Sequence, residues 1–162
     1  MNEGRTMGGN RWLVLVGAAV LVLVPVTGGS AAKSVSYQVG ATLTTLEEVP
    51  KATKPSLAFG NFGGVIRDGK FRGVLVYSAA GGITKGKAVA AHIHHARRGK
   101  AGPVVRTLCS GNCRLGGQEL QFAVSGQLLA WMRAGETYVN VHTAANPAGE
   151  IRGQIKVGKP LG

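Results

Sequence analysis

The sequence predicts an all-β protein: an antiparallel, Greek-key-like β-sandwich or barrel of about seven or eight short strands. Three observations carry that expectation. Gly supplies 26 of the 162 residues and charged residues only 16%, against about 7% and about 25% in typical domains, which suits short strands and tight turns. Apolar and polar residues alternate with period two in several runs, while no long stretch repeats at helical spacing. Turn dipeptides separate those runs. Other classes drop out. A hydrophobic share of 44% is too high for a disordered polar chain, the Gly lacks the three-residue period of collagen, and two Cys cannot build a disulfide-dense miniature.

At the N-terminus, Arg5 and Arg11 precede the uncharged run Trp12 to Val26, which ends in Thr27, Gly28, Gly29, Ser30, Ala31 and Ala32. A basic start, an apolar centre and a small-residue exit describe a secretory signal peptide over residues 1–32, cleaved after Ala31 or Ala32. The same uncharged span is also long enough to remain as an uncleaved membrane anchor, which needs about 20 residues. Residues 33–162 then make a single domain. Only Arg5, Arg11 and Glu3 leave with the signal, so the net charge moves from +12 to +11.

Within that domain Val35, Tyr37, Val39, Ala41 and Leu43 share one face of a first strand, followed by a proline-containing loop from Val49 to Pro55. Ala58 to Arg67 and Phe71 to Ser78 flank Asp68-Gly69, two residues that tolerate positive φ and suit a tight hairpin. Gly60-Asn61-Phe62-Gly63-Gly64 marks the first of these as a bulged strand. Gly81, Gly82 and Lys85 to Lys87 read as loop. Val89 to His94 and Val104 to Leu108 are strands on either side of a basic turn, Arg97 to Gly102. Leu128 to Met132 is a helical turn ended by Ala134-Gly135. Tyr138 to Thr143 and Glu150 to Ile155 form a closing hairpin around Asn146-Pro147-Ala148-Gly149, and Lys156 to Gly162 is a frayed tail.

On a strand, His92 and His94 point the same way, and His142 shares a face with Asn140 and Tyr138. Two His from one strand and a third from another can bind a transition metal through imidazole nitrogen. Copper or zinc suits such a set, with a fourth position left to water or a nearby donor. The alternative is structural: His92, His94 and His142 as polar residues at one end of the sandwich, hydrogen-bonded to each other, to Asn140 or to Thr143. Cys109 and Cys113 enclose a Ser-Gly-Asn loop, where a small-loop disulfide is the default for an exported chain and thiolate metal ligation the alternative. Asn140, Asn146, Pro147, Gly149, Glu150, Arg152 and Gly153 form a dense motif. Its turn residues set backbone geometry, and Glu150 and Arg152 share a face, where an ion pair or backbone hydrogen bonds would hold adjacent loops. The alternative there is a surface for a protein or an anionic ligand.

A charge of +11 attracts anionic surfaces, yet the basic residues are dispersed, with Arg97, Arg98 and Lys100 the only tight group. That group is a solvated loop or an anion site. Sparse aromatics and export argue against nucleic acid. Hydrolytic chemistry lacks parts: Asp68 is the sole Asp and lies in a turn, and Glu47 and Glu48 would face opposite ways if extended. There is no GxSxG elbow, HExxH helix or phosphate loop between a strand and a helix. A non-catalytic binding module is expected.

Three segments then stand out: LEEVP at Leu46 to Pro50, AHIHHARRGKAGPVV at Ala91 to Val105, and AGETYVNVHTAANPAGEIRGQI at Ala134 to Ile155. Together they resemble the CHRD (chordin-repeat) domain family, named after the repeats of chordin and also found singly in exported bacterial proteins. The resemblance runs from about Tyr37 to Ile155, with His95-Ala96 standing where the family more often has Gly-Pro. It implies an extracellular β-sandwich-like domain, hence a secreted, periplasmic or cell-surface protein. The partner would be an unknown protein or an anionic extracellular surface, and membrane contact would come only through an uncleaved N-terminal segment. The His92-Ile93-His94 and Val141-His142 strands are also similar to the copper ligands of copper-zinc superoxide dismutases, which implies a redox alternative. The zinc-binding loop of those enzymes is missing, and no Arg matches the one lining their active site.

Overall fold

Asp68 and Gly69 adopt φ values of 49° and 68°, the two positive angles of a type I′ turn. They fold strand β2 (Ala58–Arg67) back onto β3 (Lys70–Ala79). The computed structural model describes residues 34–54, 57–79, 88–111, 113–114 and 117–161. The segment 1–32 expected to be a signal and the loop expected at Gly81, Gly82 and Lys85 to Lys87 lie outside these residues. The other strands are β1 (Ser36–Thr44), β4 (Ala88–His95), β5 (Val104–Ser110), β6 (Gln118–Ala123), β7 (Thr137–Thr143), β8 (Ile151–Gln154) and β9 (Lys156–Leu161). A 3-10 turn at Thr45–Glu47 follows β1, and helix α1 (Gly126–Arg133) precedes β7.

The strands form one antiparallel sheet in the order β5-β4-β7-β8-β1-β2-β3-β6, with β9 also paired to β1, and the sheet curls into a nearly closed barrel. At the seam between β5 and β6, the Arg106 guanidinium donates to the Ala123 carbonyl at 2.9 Å and lies 5.2 Å from the Phe122 ring centroid. Leu43, Phe71, Leu75, Ile93, Val139, Val141 and Ile151 are fully buried inside. Helix α1 is capped by the Ser125 hydroxyl, which accepts from the Leu128 amide at 3.1 Å. Its Leu128 and Met132, one turn apart, add to that core. Cys109 and Cys113 are joined in a disulfide with Cα atoms 5.5 Å apart, and the Tyr77 hydroxyl donates to the Cys113 carbonyl at 2.9 Å.

Three local expectations change. β2 pairs with β1 and β3 without a register shift, so the bulge expected around Gly60 to Gly64 is absent. Close packing explains glycine there instead. Gly64 faces Gly73 in register, and a Cβ on Gly73 would lie 2.1 Å from the Gly63 carbonyl oxygen and 2.6 Å from the Phe71 ring. That ring stacks between Phe62 and Phe122 at centroid distances of 4.9 and 4.8 Å. The tail expected to fray is strand β9: β8 meets β1 only at Thr44, leaving Ser36 to Gly40 for the C-terminal segment to pair with. Finally, Gln118–Ala123, unassigned in the sequence, is β6 and pairs with β3.

Strands β4, β7 and β8 turn Ala91, Ile93, Val139, Val141 and Ile151 into the core. Their alternate residues His92, His94, Tyr138, Asn140, His142 and Arg152 therefore lie on the outer face of the barrel, rather than at its end. Gly73→Ala should cost about 2–3 kcal/mol, because the paired backbone of β2 and the Phe71 ring must both shift to admit one methyl group. A urea denaturation midpoint unchanged from wild type would contradict this packing.

Candidate metal centre

Strands β4 and β7 pair with His92 opposite Asn140, His94 opposite Tyr138 and Ala90 opposite His142, which gathers three imidazoles on one patch. Ring centroids are 5.0 Å apart for His92 and His142, 5.7 Å for His92 and His94, and 6.0 Å for His94 and His142. One nitrogen from each lies within 4.8 Å of the others. Nitrogens bound to one ion at about 2.0–2.1 Å stand about 3.4 Å apart in a tetrahedral set, so small side-chain rotations close the group.

The hydrogen bonds behind the rings orient them. His94 Nδ1 lies 2.9 Å from the Gly102 carbonyl oxygen and His142 Nδ1 3.0 Å from that of Pro147. A carbonyl can only accept, so each Nδ1 carries the proton and each Nε2 is left with its lone pair, the arrangement typical of metal-ligating His. His94 Nε2, His142 Nε2 and His92 Nδ1 are all buried without a hydrogen-bond partner among the described residues. The structural alternative required hydrogen bonds among the three rings or to Asn140 or Thr143. Instead the Asn140 amide donates to Glu48 at 3.3 Å and the Thr143 hydroxyl to Glu150.

Burial pushes all three imidazoles below their ordinary pKa. The neighbouring His142 and His94 add to this at His92, and at His94 the Gly102 hydrogen bond opposes it while His142 and Arg152 reinforce it. At His142 the Pro147 hydrogen bond opposes burial. The neutral imidazole thus favoured is the form that binds metal.

A stack supports the cluster. The His94 ring lies over Tyr138 at 4.8 Å and 9°, and the Arg152 guanidinium is 3.4 Å from the Tyr138 ring centroid. Arg152 Nη2 donates to the carbonyls of Lys100 at 2.8 Å and Arg97 at 3.3 Å, which holds the β4–β5 loop over the face. Glu48, 1% exposed, closes the far side. Burial raises its pKa to about 7, with Arg152 and the Asn140 hydrogen bond pulling the other way. Gly149, at φ 137°, has no room for a side chain, since a Cβ would lie 2.6 Å from Asn140 Nδ2 and from Glu48 Oε2.

Other residues of the sequence motifs hold the cover in place. The Asn146 side-chain oxygen accepts from the Lys54 amide at 2.9 Å and the Thr53 hydroxyl at 3.2 Å, tying the loop after β1 to the β7–β8 turn, and Gly153 lies against the Thr42 carbonyl. Glu150 and Arg152 form no ion pair with each other among the described residues; of the two arrangements expected, backbone hydrogen bonds hold the loop. Glu47 and Glu48 separate as expected, by a 3-10 turn rather than a strand. In the basic group, Arg97 pairs with Glu136 and Arg98 with Glu47. His95 stands apart from the cluster, stacked on Trp131 at 4.1 Å. Glu48 and Tyr138 are the additions. Their signals were the LEEVP segment and the parity of Tyr138 with His142.

The model of the CHRD domain family matches residues 39–155. No curated protein matches the chain, and no solved structure does.

The Glu48 shift has a sign. Its folded pKa of about 7 exceeds the ordinary 4.5, so between those values the folded state keeps a proton that the unfolded state has lost. Its contribution is present below 4.5 and is lost as pH rises through 7. The histidines act oppositely, since lowered folded pKa values make stability fall as pH drops below 6.5. Glu48→Gln removes only the first effect. Its stability relative to wild type should therefore rise by about 3 kcal/mol between pH 4.5 and 8, read from urea denaturation; parallel pH profiles would contradict a buried, protonated Glu48.

Proposed function

This chain belongs to the CHRD domain family, and we propose that it is an exported, non-catalytic binding module that holds one copper or zinc ion through His92, His94 and His142. CHRD domains are extracellular and are not a known enzyme family. The Cys109–Cys113 disulfide accords with secretion.

One observation carries the metal reading: three imidazoles converge and each has a buried nitrogen without a hydrogen-bond partner among the described residues, on rings whose opposite nitrogens are bound to backbone carbonyls in two cases. Left alone, such atoms are a desolvation cost with no return. A cation with imidazole preference satisfies all three at once. The chain's own residues then have separate parts. Gly102 and Pro147 set the tautomers, Tyr138 and Arg152 hold the His94 plane, and the depressed basicity of the rings keeps protons from competing. Held by these three side chains, a copper or zinc ion would supply Lewis acidity to an incoming donor atom.

Protein purified without a His tag and loaded with Cu(II) or Zn(II) should retain about one ion per chain after desalting. Bound metal should also raise stability by about 2.7 kcal/mol when free metal stands at 100 times Kd. Replacing His92, His94 and His142 together by Ala should abolish both effects while the Cys109–Cys113 disulfide and the far-UV spectrum stay as in wild type. Stoichiometric metal on the folded triple variant would overturn the assignment.

A further inference from the structure

A second site lies on the outer face of β1 and β2, on residues that take no part in the histidine cluster. A cavity of about 780 Å³ opens there, lined by Gln38, Gly40 and Thr42 of β1, Asn61 of β2, and Gln154 and Lys156 at the β8–β9 junction. The side chains of Gln38, Thr42 and Asn61 are exposed and make no hydrogen bond among the described residues. Thr42 and Asn61 are direct partners in the β1–β2 register, so their donors and acceptors stand side by side.

Two glycines on this face have no packing reason, Gly40 in the lining and Gly63 beside it. A Cβ on Gly40 would meet nothing closer than the Phe62 carbonyl at 3.5 Å, and one on its register partner Gly63 nothing closer than the Val39 carbonyl at 3.8 Å. Both distances are ordinary van der Waals contacts, unlike the clashes at Gly64 and Gly73, and neither residue has positive φ. Glycine inside a strand costs about 0.5–1 kcal/mol relative to Ala and often marks a place where a ligand approaches the backbone.

The occupant follows from the available groups. β1 is paired with β2 along its length on one side and with β9 and, at Thr44, β8 on the other, so β1 offers no continuous edge to an extended peptide. What remains are amides and a hydroxyl that both donate and accept, the partners that sugar hydroxyls need. Phe59, 48% exposed and opposite Thr44 at one end of the face, offers a flat apolar surface to the C–H face of a sugar ring. Lys156 has no ion-pair partner among the described residues, and the domain around it is strongly basic. We infer that this groove binds an acidic polysaccharide, with Gln38, Thr42 and Asn61 holding sugar hydroxyls and Lys156 meeting a sugar carboxylate. The stretch from Gln38 to Thr44 is about 20 Å of strand, enough for several sugar units.

The test uses oligogalacturonate as the acidic probe and maltodextrin of similar length as the neutral one, titrated calorimetrically into the untagged chain with EDTA present to keep metal out of the measurement. Oligogalacturonate should bind at least tenfold more tightly than maltodextrin. Gly40→Leu fills the floor without altering charge, and should weaken oligogalacturonate at least tenfold with the melting temperature within a few degrees of wild type. Asn61→Ala should weaken it several-fold, which keeps the inference testable if Gly40→Leu fails to fold. No binding, equal binding of both probes, or full affinity in the folded Gly40→Leu or Asn61→Ala chain would overturn it, the last by assigning the attraction to net charge alone.

Discussion

The buried guanidinium of Arg152 organises the outer face on which the candidate metal centre stands. It is 1% exposed on the side of its strand that faces away from the core, and a cation removed from water needs replacement partners or it destabilises the fold. Those partners are the ring of Tyr138 and the carbonyls of Arg97 and Lys100. To supply the carbonyls, the loop after β4 must fold down over β8 and β7. The same descent brings the Gly102 carbonyl to His94 Nδ1 and the Gly102 amide to the Tyr138 hydroxyl at 3.2 Å. One desolvated charge thus fixes the cover, and the cover fixes the tautomer of a candidate ligand.

Strand order supplies the rest of the geometry. β4 and β7 are far apart in sequence, yet the sheet makes them neighbours, because β5 lies outside β4, and the chain crosses from there to β6, at the opposite edge of the sheet, before α1 leads into β7. Only that crossing sets His142 beside the His92 and His94 pair. The hydrophobic core is indifferent to this chemistry: β4 and β7 contribute Ala, Ile and Val to it. Stability and site are therefore carried by opposite faces of the same strands, and each strand's period of two keeps them apart.

That separation explains what was legible in the sequence. Parity alone put His92 with His94 and His142 with Asn140 and Tyr138, and Asp68-Gly69 fixed a hairpin, because these depend on residues one or two positions apart. The disulfide needed only export and a short spacing. β9 was not legible: Lys156–Leu161 carries two Lys, a Gly and a Pro, and becomes a strand only because β8 leaves part of β1 uncovered. β6 was hidden for a related reason, its Gln and Glu residues being poor strand formers that β3 nevertheless pairs. The glycines of β2 carried a real signal with the wrong cause, since the β3 backbone and the Phe71 ring that crowd Gly64 cannot be seen from spacing. Glu48 needed tertiary knowledge too, as its environment comes from β7 and β8.

The outer face also shows two ways of treating polar groups on a strand. Over β4, β7 and β8 they are covered by loops, and beside the three imidazole nitrogens Thr137 Oγ1, Asn140 Oδ1, Arg152 Nη1 and Gln154 Oε1 are buried there without a hydrogen-bond partner among the described residues. Over β1 and β2 no loop descends among the described residues, and Gln38, Thr42 and Asn61 are exposed. Arg98 and Glu47, paired with each other, belong to the wall of the open side, while the Arg97 and Lys100 carbonyls flanking Arg98 bind Arg152 on the covered side. The β4–β5 loop is thus a divide. Covered polar atoms left without partners suit a small ion, whose few short bonds can replace the lost water. Open polar atoms in a row suit a long, hydrated chain that need displace little of it. The difference in burial, more than the difference in residue type, is what suits the two regions to ligands of such different size.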